Sequence, residues 1–100
     1  MLLAKVTGTV VSTHKEESME GLKFLLLSQV DLEGKPSGGH VVAVDAVGAG
    51  EGEMVLYAAG SSARQTVATQ DRPCDAVVMA IVDNWEVAGK IKYKKGLHDK

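Results

Sequence analysis

Aromatic side chains are scarce: Phe24, Tyr57, Trp85 and Tyr93 are the only four in 100 residues. Four is too few for the row of stacking platforms on which a single-stranded nucleic acid lies. Cysteine is scarcer still. Cys74 stands alone, so no internal disulfide forms, and one thiol with scattered histidines makes no zinc site. Neither sign of charge dominates: 11 Lys and Arg against 13 Asp and Glu leave −2, without the cationic footprint of a nucleic-acid binder. No uncharged apolar run nears the roughly 20 residues of a membrane helix. Met1 to Lys5 leads directly into a strand-like stretch and lacks the basic segment, apolar segment and cleavage site of a signal peptide. The expectation is one soluble domain in a reducing, intracellular setting.

What is present is small and apolar. Hydrophobic residues make up 45% and charged residues 24%, which excludes a disordered or fibrous chain. A domain of this length buries only about two-thirds of its unfolded surface. With nearly half the chain apolar, part of that surface is expected to be buried against other subunits. Strand signals run over Leu3–Thr13, Leu22–Val30, His40–Val47, Met54–Ala59 and Ala76–Val87. Gly8 marks a bulge or bend in the first strand. His14–Gly21 reads as a charged loop and Asp31–Gly39 as turn chemistry throughout. Glycine at positions 48, 50 and 52 demands a tight, specially shaped turn. Ser61 and Ser62 read as an N-cap followed by one helical turn, and Pro73 excludes a regular element over 66–75. Five strands with short turns predict an all-β chain, a small OB-like barrel with one short helical turn. Residues 1–87 form that barrel domain, and residues 88–100 a Lys-rich C-terminal tail. Five lysines against Asp99 give the tail +4, so residues 1–87 carry −6. The simpler reading of the tail is a solvated end, the sharper one an interaction arm.

Catalytic groups do not assemble in the sequence. His14, His40 and His98 have no Cys, Asp or Glu at ligand spacing. Cys74, beside Pro73, is read as a partly buried, inert thiol. Ser61 and Ser62 lack the G-x-S-x-G of a nucleophile elbow. In Gly48-Ala49-Gly50-Glu51-Gly52 the third glycine comes one residue early for a dinucleotide fingerprint, a strand follows, and Glu51 and Glu53 would repel a phosphate. Glu16, Glu17 and Glu20 are read as a solvated face. Trp85 fits a core position and an interface position equally well. No enzyme, cofactor or metal is expected.

Several segments together resemble one family. LAKVTGTVVS at 3–12 is similar to the opening strand of the EutN/CcmL proteins, the pentameric vertex proteins of bacterial microcompartment shells. Val44-Asp45-Ala46-Val47-Gly48-Ala49-Gly50-Glu51-Gly52-Glu53 resembles the family's V-D-x-V-G-A-G-x-G-E turn. Gly60-Ser61-Ser62-Ala63-Arg64 resembles its G-S-S-A-R turn, and Ala80-Ile81-Val82-Asp83 its last strand. The likeness spans residues 2–87. Met54 departs from it, standing where Trp or Leu is common, and so does the tail after Val87, which is longer than in many members.

The resemblance implies an OB-like barrel that assembles as a cyclic pentamer and caps the vertices of a polyhedral shell in the bacterial cytoplasm. Implied partners are further copies of the chain, the hexameric and pseudohexameric shell proteins, and cargo enzymes, with no nucleic acid or membrane. A ring needs two different matching patches on each subunit. Candidates for the interface or the axial turns are Asp45, Gly48, Ala49, Gly50, Gly52, Glu53, Gly60, Ser61, Ser62 and Arg64, with Arg64 suited to a carboxylate such as Glu53 or Asp45. Lys90, Lys92, Lys94 and Lys95 are the candidate tail contacts. The alternative is an OB-fold module that binds nucleic acid or a small ligand.

Overall fold

The computed structural model describes residues 1–13 and 15–96. His14, His98, Asp99 and Lys100 lie outside the described residues. The chain forms β1 (Leu2–Val10), β2 (Phe24–Val30), β3 (Pro36–Asp45), β4 (Met54–Ala59), β5 (Ala76–Ile81), β6 (Asn84–Val87) and β7 (Lys90–Lys94), with short 3-10 turns at Glu17–Met19 and Gly60–Arg64. The first five strands close into a barrel in the order β1-β2-β3-β5-β4, the expected OB-like architecture. β1 serves two neighbours. It pairs with β4 from Leu2↔Tyr57 to Lys5↔Met54, and with β2 from Ala4↔Gln29 to Val10↔Phe24. A register shift between Val6 and Gly8 bends β1 between them, as the glycine predicts.

Strand alternation sends side chains to two cores. Ala43, Tyr57 and Val78 enter the barrel interior with Val6, Leu25, Leu27 and Val55. Their chain neighbours Val44, Ala58 and Val77 point outward, into a second cluster with fully buried Ala63. β3, β4 and β5 are therefore buried on both faces, with the segment 60–75 lying across their outside.

Two sequence expectations are corrected. The turn after β2 ends at Lys35, because Asp31 Oδ1 accepts from the amides of Glu33 at 2.8 Å and Lys35 at 3.1 Å and completes it. Pro36 then begins β3, a position where its missing N–H costs nothing. Gly39 lies within the strand, where a Cβ would collide with the Gln29 side chain. That clearance lets Gln29 Nε2 donate to the buried Tyr57 hydroxyl at 2.8 Å.

The expected single strand over 76–87 is two strands. After Ile81 the chain leaves the barrel, with Val82 N–H donating to Met54 O at 2.8 Å. β6 then pairs with β7 around Ala88-Gly89, both at positive φ (52° and 81°), the geometry of a two-residue hairpin turn. The 87/88 division falls at that turn. Trp85 stacks on Tyr93 with centroids 4.9 Å apart and donates Nε1–H to Leu32 O at 2.8 Å. Two tail lysines complete the docking, Lys92 to Glu33 at 3.1 Å and Lys95 to Glu53 at 2.7 Å.

Substituting Gly39→Ala expels Gln29 and leaves the Tyr57 hydroxyl buried without its partner, an expected loss of about 1–3 kcal/mol. Thermal or urea denaturation reads the loss. In a Gln29→Ala background the same change costs little, because the pair is already broken.

The Lys95 hydrogen bond holds the Glu53 carboxyl below the usual 4.5, and Glu53 in turn holds the Lys95 ammonium above 10.5. The Glu53 contribution is present above the unfolded carboxyl value and is lost as pH falls through the depressed folded one. The Lys95 contribution is full below its unfolded value and is lost as pH rises through the raised one. Emission from Trp85, the sole tryptophan, is expected to stay constant between these limits. Lys95→Met should move the acid-side change to higher pH; an acid limb unmoved by this variant would remove the clamp.

Candidate assembly surface

The glycine-rich turn after β3 is organised by its own carboxylates. Asp45 Oδ1 accepts from the amides of Val47 at 3.1 Å, Gly48 at 3.0 Å and Ala49 at 3.2 Å. Its Oδ2 lies 3.8 Å from Lys23 Nζ, and the side chain is only 2% exposed. Glu53 Oε1 accepts from Gly50 N–H at 2.5 Å. Gly52 N–H donates to Val6 O at 2.8 Å, and Val6 N–H to Glu53 O at 2.9 Å, which seats the turn on β1. Gly48 (φ 76°) and Gly52 (φ 90°) supply the left-handed backbone this path needs. Amides that could have cradled a phosphate are thus occupied by Asp45 and Glu53. Ala49 is buried in the barrel core, so the turn is a rigid plug.

The second turn is held differently. The Ser61-Ser62 cap expectation is corrected: Ser62 Oγ–H donates to Ala59 O at 2.9 Å, and no side chain caps the 3-10 turn at Gly60–Arg64. Gly60 N–H donates to Asp75 O at 2.8 Å and closes the base of the whole 60–75 segment. Inside it, fully buried Thr69 donates Oγ1–H to Ala63 O at 2.6 Å. Thr69 N–H donates to Thr66 Oγ1 at 3.1 Å. Arg72 Nη1 reaches Ser18 O at 3.1 Å and Glu20 O at 2.8 Å, tying the segment to the 3-10 turn at Glu17–Met19. The acidic stretch there caps itself: Glu16 Oε2 accepts from Ser18 N–H at 2.9 Å and from Ser18 Oγ. The Ser18 hydroxyl bond is the main cause holding the Glu16 carboxyl below its usual range.

The expected partnership of Arg64 with Glu53 or Asp45 is not formed within one chain. Arg64 Nε donates to Cys74 O at 3.2 Å, while Asp45 serves its turn and Glu53 serves Gly50 and Lys95. Ser61 and Arg64 line an open polar groove of about 830 Å³ with Gln65, Gln70 and Arg72. The glycine-rich turn on β1 and this segment on the β3-β5-β4 face are thus separate surfaces of the chain. Arg72, Thr69 and Val67 escaped the sequence reading. The carbonyls that Arg72 binds, at Ser18 and Glu20, are main-chain groups that the sequence does not mark.

Among the described residues, the candidate nucleophile and the candidate ligand stand apart. Cys74 is half-buried, 3.9 Å from Ala63 O, and burial pushes its thiol up from the usual 9.0, which makes it a poor nucleophile. His40 lies exposed on β3 opposite Ser28. Among the described residues no three His, Cys, Asp or Glu converge on a metal position. Tyr57 and Tyr93 are buried, Phe24 packs on the outer cluster, and Trp85 lies stacked on Tyr93, which leaves no aromatic row for nucleobases. Of the tail candidates, Lys92 and Lys95 hold the hairpin to the barrel, and Lys90 and Lys94 are exposed.

The family model described as "Ethanolamine utilisation protein EutN/carboxysome" matches residues 1–83. The chain is 48% identical over 95 residues to the carboxysome shell vertex protein CcmL of Gloeobacter violaceus, covering 95% of each chain. It is 41% identical over 95 residues to the microcompartment shell vertex protein EutN of Salmonella typhimurium, covering 95% of this chain and 96% of that one. The solved Gloeobacter violaceus CcmL superposes with a TM-score of 0.91 over 95% of this chain and 98% of the other. The GrpN pentameric microcompartment shell protein of Rhodospirillum rubrum, 47% identical, superposes with a TM-score of 0.79 over 87% of this chain and all of the other (100%). With the barrel order, the two turns and the likeness all extending over the same residues, this chain belongs to the EutN/CcmL family.

Proposed function

We propose that five copies of this chain form a ring that caps the vertices of a polyhedral bacterial microcompartment shell in the cytoplasm. One observation carries the reading: sequence and fold match a carboxysome vertex protein over 95% of both chains, at a TM-score of 0.91. A sheet of hexagonal tiles closes into a polyhedron only where five-fold corners are inserted, so the role is architectural and non-enzymatic. The chemistry of the chain supports that role, because the glycine-rich turn engages its amides internally and burial pushes the single thiol up from its usual range. Hexameric and pseudohexameric tiles are the partners at the ring's rim, and cargo enzymes are candidate partners on the enclosed side.

Native mass spectrometry of the purified chain is expected to give five times 10.5 kDa; a monomer at high concentration would sink the proposal. Arg64 lies in the open groove and makes one carbonyl bond within the chain. Arg64→Ala is expected to lower the ring fraction several-fold while circular dichroism stays unchanged. A ring fraction equal to wild type would place Arg64 outside the interface.

The tail contributes contacts beyond the ring through Lys90 and Lys94. Deleting residues 88–100 would remove β7 and strip Trp85 of its stacking partner, so charge reversal is the cleaner test. Lys90→Glu with Lys94→Glu is expected to keep the five-chain mass and reduce co-purification with shell tiles. Undiminished recovery of tiles would confine these lysines to the hairpin.

A further inference from the structure

The segment 60–75 joins a rigid frame to an apolar tip. Gly60, Thr69, Arg64 and Arg72 all bond it in place, to Asp75, Ala63, Cys74 and the 16–20 turn. Between these anchors Val67 is 100% exposed, and Ala68 beside it is exposed as well. A tip held this firmly keeps its valine in water at full hydration cost, which burial in a partner would relieve. Asp71, also exposed, stands four residues along the same segment.

A matching hollow lies where β1 ends and β2 begins. Val10, Val11, Leu22 and Phe24 line a groove of about 400 Å³, rimmed by Lys15 and Lys23. Val11 is 89% exposed, so the wall is apolar and open. Two other exposed apolar side chains, Ile91 and Leu32, fit it less well. Ile91 sits between Lys90 and Lys92, whose charges would meet Lys15 and Lys23. Leu32 lies in the turn that receives Trp85. The Val67 segment instead brings the Asp71 carboxylate to Lys15 and to Lys23, the latter already 3.8 Å from Asp45 Oδ2.

We infer that the Val67–Ala68 tip of one subunit seats in the Val10–Phe24 groove of the next copy around the ring, with Asp71 facing Lys15 and Lys23. The inference rests on the ring reading and names its contact. Tip and groove are different patches of one chain, so each copy offers one of each and five contacts close the circle without a free end. The tip is small and preformed, so docking orders little and loses little conformational entropy.

Two experiments test it in the full chain. Val67→Asp places a charge in the apolar groove and a like charge near Asp71. It is expected to raise the midpoint concentration of ring dissociation by about tenfold or more, with an unchanged circular dichroism spectrum, since the position is fully exposed in the lone subunit. Val67→Leu is expected to keep the ring. Separately, Val67→Cys and Val11→Cys chains, each in a Cys74→Ser background, are mixed and oxidised. A mixed disulfide between the two different variants is expected, and the double variant should give a ladder ending at five chains on a non-reducing gel. A wild-type ring of five whose Val67→Asp form keeps its midpoint, with no mixed disulfide, overturns this contact and leaves the ring reading standing. A wild-type chain that stays monomeric overturns both.

Discussion

The barrel is closed by a short parallel contact. β3 and β5 share only the register pairs Val44↔Val77 and Asp45↔Val78, whereas every other seam is an antiparallel ladder of at least four pairs. A seam that thin is exposed to water and to strand slippage unless its outer face is covered. Ala63 and Phe24 cover it, packing with Val44, Val77 and Ala58 outside the barrel. The methyl of Ala63 is fully buried, so the segment that carries it must follow the sheet closely. The same covering that protects the seam therefore fixes where the Arg64 groove and the Val67 tip stand. The fold and the proposed assembly surface share one packing contact.

Polar chemistry in the two turns follows a common rule with opposite donors. After β3 the carboxylates of Asp45 and Glu53 take up backbone amides. In the 60–75 segment hydroxyls and guanidiniums take up backbone carbonyls. In both, the side chain replaces a ladder partner for backbone that belongs to no sheet. A turn satisfied in this way keeps its shape when a neighbour arrives. Rigid tiling requires that property, and a ligand-gripping loop would need free amides instead.

The sequence was most legible where one force acted alone. Met54–Ala59 reads as a strand because six apolar residues lie between a glycine turn and Gly60, and its bounds are those of β4. Gly8 announced the bend in β1 because a residue without a side chain has no other use there. Legibility failed where two signals overlapped. Asp31–Gly39 is rich in turn formers, yet Gly38 and Gly39 lie in the strand, Gly38 at a positive φ of 103° and Gly39 where the path of Gln29 toward Tyr57 leaves no room for a Cβ. In residues 88–95 the density of charge masks the alternation of Ile91 and Tyr93 between lysines and the Ala88-Gly89 turn before them. The partner of Arg64 within the chain was not legible, because its bond goes to a main-chain carbonyl that no residue type advertises.

Charge ties the hairpin to the barrel. A body carrying −6 over residues 1–87 would meet itself repeatedly around a ring, and like charge at close quarters opposes association. The hairpin folds Lys92 and Lys95 directly onto Glu33 and Glu53. Each lysine removes from the barrel surface a carboxylate that would otherwise face outward. Exposed ion pairs of this kind add little to the stability of a single chain, yet their effect on self-repulsion recurs at every contact in a closed ring. The basic end of the chain is thus held to the barrel by an aromatic stack and a carbonyl bond from Trp85, and its lysines lower the net negative charge that each copy presents.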